Sequence, residues 1–243
     1  MLGLPADITT LLFDLDGVLT RTADVHAGAW KQTFDELLDR RAAADGEEFV
    51  EFRPSDYTSH VDGKPREAGV RDFLASRGIA LPEGSDSDPP GADTVSGVAR
   101  RKNDLVSELI ERDGVEVFTG SVDYLRAARE AGMRTAVVSS SRNTPVVLEA
   151  AGIADLFETR VDGSVAAERG LPGKPAPDTF LEAARELGAE PAQAAVFEDA
   201  LAGVEAGRAG GFGCVVGVDR AGQAAALRDR GADIVVSDLG ELL

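Results

Sequence analysis

The spacing of apolar residues changes character along the chain. Residues 8–13 (Ile-Thr-Thr-Leu-Leu-Phe) are rich in β-branched and large side chains, which predicts a buried strand. After Thr20 the spacing turns helical, with His26, Trp30, Phe34, Leu37 and Leu38 along one face. Residues 42–51 are small or charged and read as a loop or a frayed helix end. Residues 57–66 are polar and turn-rich. A short helix follows, marked by Val70, Phe73 and Leu74 and stopped by Gly78, and residues 82–92 read as a surface loop. Val95, Val98, Leu105 and Leu109 set the apolar face of a helix over 94–112. From Val115 onward strands alternate with helices. Strands are predicted at 115–118, 135–139, 157–161, 194–197, 212–218 and 233–236, and helices at 124–131, 145–151, 177–187, 200–209 and 223–230. This alternation predicts an α/β fold, a doubly wound parallel sheet of Rossmann-like type. The first strand is cut off from the others by a helical block, so residues 1–20 and 115–243 are expected to form one domain and residues 21–114 an inserted helical one.

Composition narrows the function. The net charge is −18, from 43 acidic against 25 basic residues, which argues against a nucleic-acid or anionic-membrane partner. A metal and a few local cations still allow an anionic substrate. The one cysteine, Cys214, lies in an apolar run and reads as a buried small hydrophobe. The N-terminus has no basic region followed by a long apolar segment, and no run approaches the ~20 residues of a membrane span. The expectation is a cytoplasmic monomer.

The candidate chemistry gathers where a parallel sheet binds ligands, beyond the carboxyl ends of its strands. The first strand ends in Asp14-Leu15-Asp16-Gly17. On a strand, residues i and i+2 point the same way, so the two carboxylates are expected to converge where the turn at Gly17 leaves room. Like charges that close need a cation or a shared proton. Three other strand ends or loops carry polar groups: Ser139-Ser140-Ser141-Arg142-Asn143, Gly173-Lys174-Pro175, and Glu198-Asp199. Carboxylates from two strands make a hard oxygen site suited to Mg²⁺. A hydroxyl, a lysine and backbone N–H groups are the donors a phosphoryl group needs.

In this order the four motifs resemble the haloacid dehalogenase (HAD) superfamily of phosphotransferases: Asp14-Leu15-Asp16-Gly17-Val18, Ser139, Lys174 and Glu198-Asp199. The resemblance implies a HAD core with an inserted helical cap. It also implies that Asp14 attacks phosphorus and becomes an aspartyl phosphate, with Asp16 as general acid and base. Ser139 and Lys174 would hold phosphoryl oxygens. Asp14, the carbonyl of Asp16 and Asp199, with Glu198 nearby, would hold Mg²⁺. Gly17, Ser140, Ser141, Arg142 and Asn143 fall in the loops that line the substrate in this family.

The helical block sharpens the resemblance. Residues 24–31, 63–67 and 101–104, with Ser139 to Pro145 and Gly173 to Asp178, look like the β-phosphoglucomutase family. From the residues alone, His26 is a core, cap or functional group, and Lys102 either snorkels from its apolar face or serves the chemistry. The resemblance implies that His26 and Lys102 communicate between cap and core, that both bind the substrate together with Trp30, and that Arg66 binds a distal phosphate. A mutase of this kind interconverts β-glucose 1-phosphate and glucose 6-phosphate, with glucose 1,6-bisphosphate as activator. Arg21, Arg142 and Ala200 stand where the family tends to carry an acid, a lysine and a serine. A phosphatase acting on a small sugar or polyol phosphate is the alternative reading.

Overall fold

The structure, a computed structural model, describes residues 2–46 and 48–243. The chain divides into two compact units, Met1–Thr22 with Val115–Leu243, and Ala23–Gly114.

The first unit is an α/β layer structure. Its strands are β1 (Thr10–Phe13), β2 (Arg134–Val138), β3 (Thr159–Val161), β4 (Ala194–Glu198), β5 (Cys214–Val218) and β6 (Ile234–Val236). They form one parallel sheet in the order β3-β2-β1-β4-β5-β6. All four residues of β1 are buried, as a central strand covered on both faces requires. Side chains alternate across the sheet. Leu12 joins Ala136, Val138, Val196 and Phe180 on one face. On the other, Phe13 stacks on its register partner Phe197 with ring centroids 4.5 Å apart, and Tyr124 meets both rings edge-on or tilted. The order fixes β1 between β2 and β4, so the segments following these three strands emerge side by side.

The second unit is helical. It contains most of α1 (Thr22–Asp45), then α2 (Pro54–Asp56), α3 (Arg66–Ser76) and α4 (Val95–Asp113). Trp30, Phe34, Phe52, Phe73, Val70 and Val98 make a separate core. Phe34 is its hub, with ring centroids of Trp30, Phe52 and Phe73 at 4.9, 5.1 and 4.2 Å. Thr94 caps α4, its hydroxyl accepting the Gly97 N–H at 2.9 Å.

The connecting helices of the α/β unit are α5 (Thr119–Glu130), α6 (Thr144–Ala150), α7 (Gly163–Arg169), α8 (Asp178–Glu186), α9 (Leu201–Ala209) and α10 (Ala224–Asp229). Four local expectations are corrected. Residues 115–118 form no sheet strand: they make one antiparallel bridge, Thr20 to Val117, flanked by Arg21 N–H on Glu116 O and Phe118 N–H on Leu19 O, both 2.9 Å. Residues 57–66 are not all loop, because Tyr57–Val61 is a π-helical turn closed by Asp62 N–H on Tyr57 O. Helix α1 runs on to Asp45 through the small residues read as its end. Helix α7 was not expected; Asp162 starts it by accepting from Ser164 and Val165 N–H, and Gly170 ends it in the left-handed conformation. Among the described residues, no helix is long and apolar enough to cross a membrane.

Phe34→Ala removes the hub of the helical core and is expected to cost about 3–5 kcal/mol in urea unfolding followed by circular dichroism. A loss below about 1 kcal/mol would mean that the aromatic cluster does not hold this unit together.

Candidate active site

β1 ends at Phe13, and the chain leaves the sheet through a turn from Asp14 to Thr20. Asp14 N–H donates to Phe197 O at 2.9 Å, the last rung toward β4. Leu19 and Thr20 N–H then both donate to Leu15 O at 3.0 Å, and Gly17 N–H donates to Thr20 O at 2.8 Å. Gly17 has φ +90°, and a Cβ there would sit 1.8 Å from Asp199 Oδ2. Only glycine fits, because the position needs both the left-handed backbone and the space taken by the Asp199 carboxylate.

The strand rule for Asp14 and Asp16 does not apply, since the strand has stopped before either residue. The two carboxylates stay close enough to feel each other but take different partners. Asp14 Oδ1 accepts from Lys174 Nζ at 2.5 Å. Asp16 Oδ1 accepts a short hydrogen bond from Thr22 Oγ1, and its Oδ2 accepts from Ser139 Oγ at 3.4 Å. Thr22 is in turn bonded to Thr20.

Lys174 is the centre of the arrangement. Its side chain is 1% exposed, and Nζ also donates to Glu198 Oε1 at 2.5 Å and to Val138 O at 3.2 Å. The other oxygen of Glu198 accepts Ala200 N–H at 2.9 Å, so both of its oxygens are engaged inside the protein. Gly203 of α9 makes room for it, since a Cβ there would lie 1.8 Å from Glu198 Oε1. Burial works to lower the Lys174 pKa, but the Asp14 and Glu198 carboxylates override it and hold the ammonium above the usual lysine value. Asp14 is shifted well upward. Burial is the main cause, the charges of Glu198 and Asp16 add to it, and Lys174 opposes it. One ammonium thus faces more negative charge than it neutralises.

Asp14, Glu198 and Asp199 each offer a carboxylate oxygen, and these atoms lie within 4.8 Å of one another. Such hard donors fit Mg²⁺ better than a softer metal. The carboxylates gathered here outnumber the one ammonium among them, which agrees with a cation at this point. Gln223 Nε2 donates to Asp199 O at 3.1 Å and braces that end of β4. After β2 the loop folds on itself: Ser141 N–H donates to Ser139 Oγ and Asn143 N–H to Ser141 Oγ, both at 3.1 Å. Ser140 and Arg142 lie in the same loop, where Gly163 lets the backbone approach, its N–H donating to Ser141 O at 3.1 Å.

Three of the residues singled out in the helical unit, His26, Trp30 and Lys102, form their own group. Lys102 is 3% exposed and does not snorkel. Its Nζ lies 2.8 Å from His26 Nδ1 and 5.1 Å from the centroid of the buried Trp30 ring. Arg66 is the first residue of α3 and partly exposed. Lys64 is engaged elsewhere, in an ion pair with Asp72, which also lies 3.3 Å from His60 Nδ1.

Sequence reading missed Thr22, Gln223 and Arg220. Thr22 carries no signal of its own. Arg220 and Gln223 follow the carboxyl end of β5, where the strand-end rule would have found them had it been extended to that strand.

The sequence profile of the haloacid dehalogenase-like hydrolases matches residues 8–211. The chain belongs to that family and is one of its phosphotransferase enzymes. It is 55% identical over 247 aligned residues to the β-phosphoglucomutase of Mycobacterium bovis, covering 100% of this chain and 94% of that protein. It is 31% identical to the β-phosphoglucomutase of Bacillus subtilis, with 96% and 90% covered. The crystal structure of β-phosphoglucomutase from Clostridium difficile superposes with a TM-score of 0.75 at 25% identity, over 97% of this chain and 93% of that one. The likeness to the β-phosphoglucomutase family therefore extends through both units.

Lys174→Met leaves Asp14 and Glu198 buried without their cation. A stability loss of about 3–5 kcal/mol is expected at pH 7 in the magnesium-free protein. Because the folded-state pKa of Asp14 lies above its unfolded value, the Asp14 contribution is fully present below about pH 3.9 and is lost as pH rises through the folded value. Removing Lys174, which opposes the upward shift, raises the folded-state pKa of Asp14 further, so the deficit of Lys174→Met should shrink as pH is lowered from 7 into the acid range in urea titrations. A deficit that stays constant over that range would contradict the charge balance described here.

Proposed function

We propose that the protein is a Mg²⁺-dependent mutase interconverting β-glucose 1-phosphate and glucose 6-phosphate through a glucose bisphosphate. The observation that carries this reading is the 55% identity to a β-phosphoglucomutase along the whole chain, helical unit included. The different partners of the two carboxylates support it.

Asp14 is the nucleophile. Its backbone is tied to β4 and one carboxylate oxygen to Lys174, which leaves Oδ2 to meet phosphorus. Asp16 is the general acid and base. Thr22 and Ser139 hold its carboxyl in place, so it can give a proton to the leaving oxygen and take one from the incoming hydroxyl. Ser139 and Lys174 stabilise the phosphoryl oxygens, and the Ser140–Asn143 loop adds further donors. Asp14, the Asp16 carbonyl and Asp199, with Glu198 in support, are the residues that would hold Mg²⁺. When bound, the ion neutralises charge on the phosphoryl group and its neighbouring carboxylates.

A mutase must bind both ends of its bisphosphate. In this reading the helical unit is the cap, and Arg66 provides a distal phosphate site there. The pairing of His26 with Lys102 against Trp30 orients the sugar end. The substrate is a small sugar phosphate and glucose 1,6-bisphosphate is the activator. The enzyme works as a cytoplasmic monomer.

The assay supplies β-glucose 1-phosphate, catalytic glucose 1,6-bisphosphate and Mg²⁺ and follows glucose 6-phosphate and free phosphate together. Glucose 6-phosphate is expected to dominate, and Asp14→Asn to abolish it. Phosphate release without isomer formation would make the protein a phosphatase instead.

Arg66→Ala is expected to lower mutase turnover by about a hundredfold or more while changing hydrolysis of a small aryl phosphate less than about threefold. Equal losses on both substrates would remove Arg66 from the distal site.

A further inference from the structure

The turn between Leu15 and Thr20 carries Asp16 and backs onto Asp14, yet its own hydrogen bonds do not complete it. The carbonyls of Leu15 and Thr20 are satisfied within the turn, and that of Leu19 by Phe118 N–H. The carbonyls of Gly17 and Val18, both buried residues, point to one side chain from the far end of the chain. Arg220 Nε donates to Gly17 O at 2.9 Å and Nη2 to Val18 O at 3.4 Å. The rest of the guanidinium is anchored as well. Nη1 donates to Ser237 O at 2.6 Å and to Asp238 Oδ2 at 3.2 Å, and Nη2 to Ser121 Oγ at 3.3 Å. Its plane lies over the Phe118 ring, 3.5 Å from the centroid, and the Arg21 guanidinium lies 4.4 Å from the same centroid. Its side chain is 19% exposed.

We propose that Arg220 is a positioning residue for phosphoryl transfer, a clamp that fixes the peptide planes after Asp16 by bridging the Gly17 and Val18 carbonyls to the C-terminal segment. The proposal rests on the functional reading given above. Gly17 is the residue of the turn with the widest backbone freedom, and its peptide with Asp16 sets the aim of both the Asp16 carbonyl and the Asp16 carboxylate. A rotation there displaces the general acid and one oxygen of the magnesium site together. Misplacement by about 1 Å costs on the order of a hundredfold in rate. Only a planar fork with several N–H groups reaches these acceptors at once. A lysine would place one point charge near them and would not hold the plane.

The test compares wild type with Arg220→Ala, Arg220→Lys and, as an exposed control on the same segment, Arg228→Ala. Hydrogen exchange is read first on the magnesium-free proteins. Amides of Gly17 and Thr20 are expected to exchange at least tenfold faster in Arg220→Ala, with the β1 amides unchanged. Turnover of a small aryl phosphate with Mg²⁺ should then fall about tenfold to a hundredfold in kcat, with KM changed less than threefold. Arg220→Lys is expected to recover only part of either effect, and Arg228→Ala to match wild type. Unchanged exchange at Gly17 and Thr20, or full recovery by lysine, would overturn the clamp. So would general loss of protection across β1 and β4 in both Arg220 variants, since the residue would then serve the fold as a whole. Exchange is measured without metal or substrate, so it decides the clamp separately. A wild-type protein that transfers no phosphate would instead overturn the functional reading.

Discussion

The contact on which the α/β unit turns is a buried ammonium held between two carboxylates. Lys174 reaches Asp14 after β1, Glu198 at the end of β4 and the Val138 carbonyl at the end of β2. These three neighbouring strands come from distant parts of the chain, and the lysine arrives from a loop between β3 and β4. Such a group does not have to stabilise the fold, because desolvating three charges offsets much of their attraction. Stability comes from the apolar faces of the sheet and from the separate aromatic core of the helical unit. The ion group instead sets the electrostatic condition of the site. It leaves one excess negative charge beside Asp14, a condition suited to receiving a cation.

The two aspartates two residues apart do not share their partners. Asp14 faces the lysine, while Asp16 is turned toward the hydroxyls of Thr22 and Ser139. Their separation depends on the chain leaving the sheet at Asp14 and reversing at Gly17. The helical unit contains a second buried lysine with different company: Lys102 meets an imidazole and the face of an indole. One lysine sits in a field of carboxylates. The other sits among aromatic groups, where a desolvated cation interacts with ring quadrupoles and a ring nitrogen.

Much of the site was legible because a parallel sheet concentrates chemistry at strand ends. Asp14, Ser139, Lys174, Glu198 and Asp199 stand at or near such ends, and Lys174, Asp14 and Glu198 meet directly. The alternating order of strands and helices likewise follows from apolar runs punctuated by glycine. What escaped depended on backbone bonding rather than side-chain periodicity. The π-helical turn at Tyr57–Val61 is polar apart from the buried Val61, a composition that favours a loop. The bridge from Thr20 to Val117 is too short to form a strand although Val115 to Phe118 is apolar in alternate positions. Helix α7 is announced mainly by the Asp162 cap, with few apolar residues to mark its period. The strand-end rule places Arg220 near the site, but its bonds to the Gly17 and Val18 carbonyls, about two hundred residues away in sequence, carry no local spacing that would mark them.

The position of β1 also governs how the polypeptide can assemble as it is synthesised. Thr10 pairs with Arg134 on one side and Ala194 on the other. The helical unit, with its core of Trp30, Phe34, Phe73 and Val98, is complete in sequence before either partner strand has been made. It can form first, as domains tend to do during translation. The earliest strand then waits longest for its neighbours, as an apolar segment with unpaired edges and two aspartates at its tip. Charge at the tip of an apolar strand works against edge-to-edge association while its partner strands are missing.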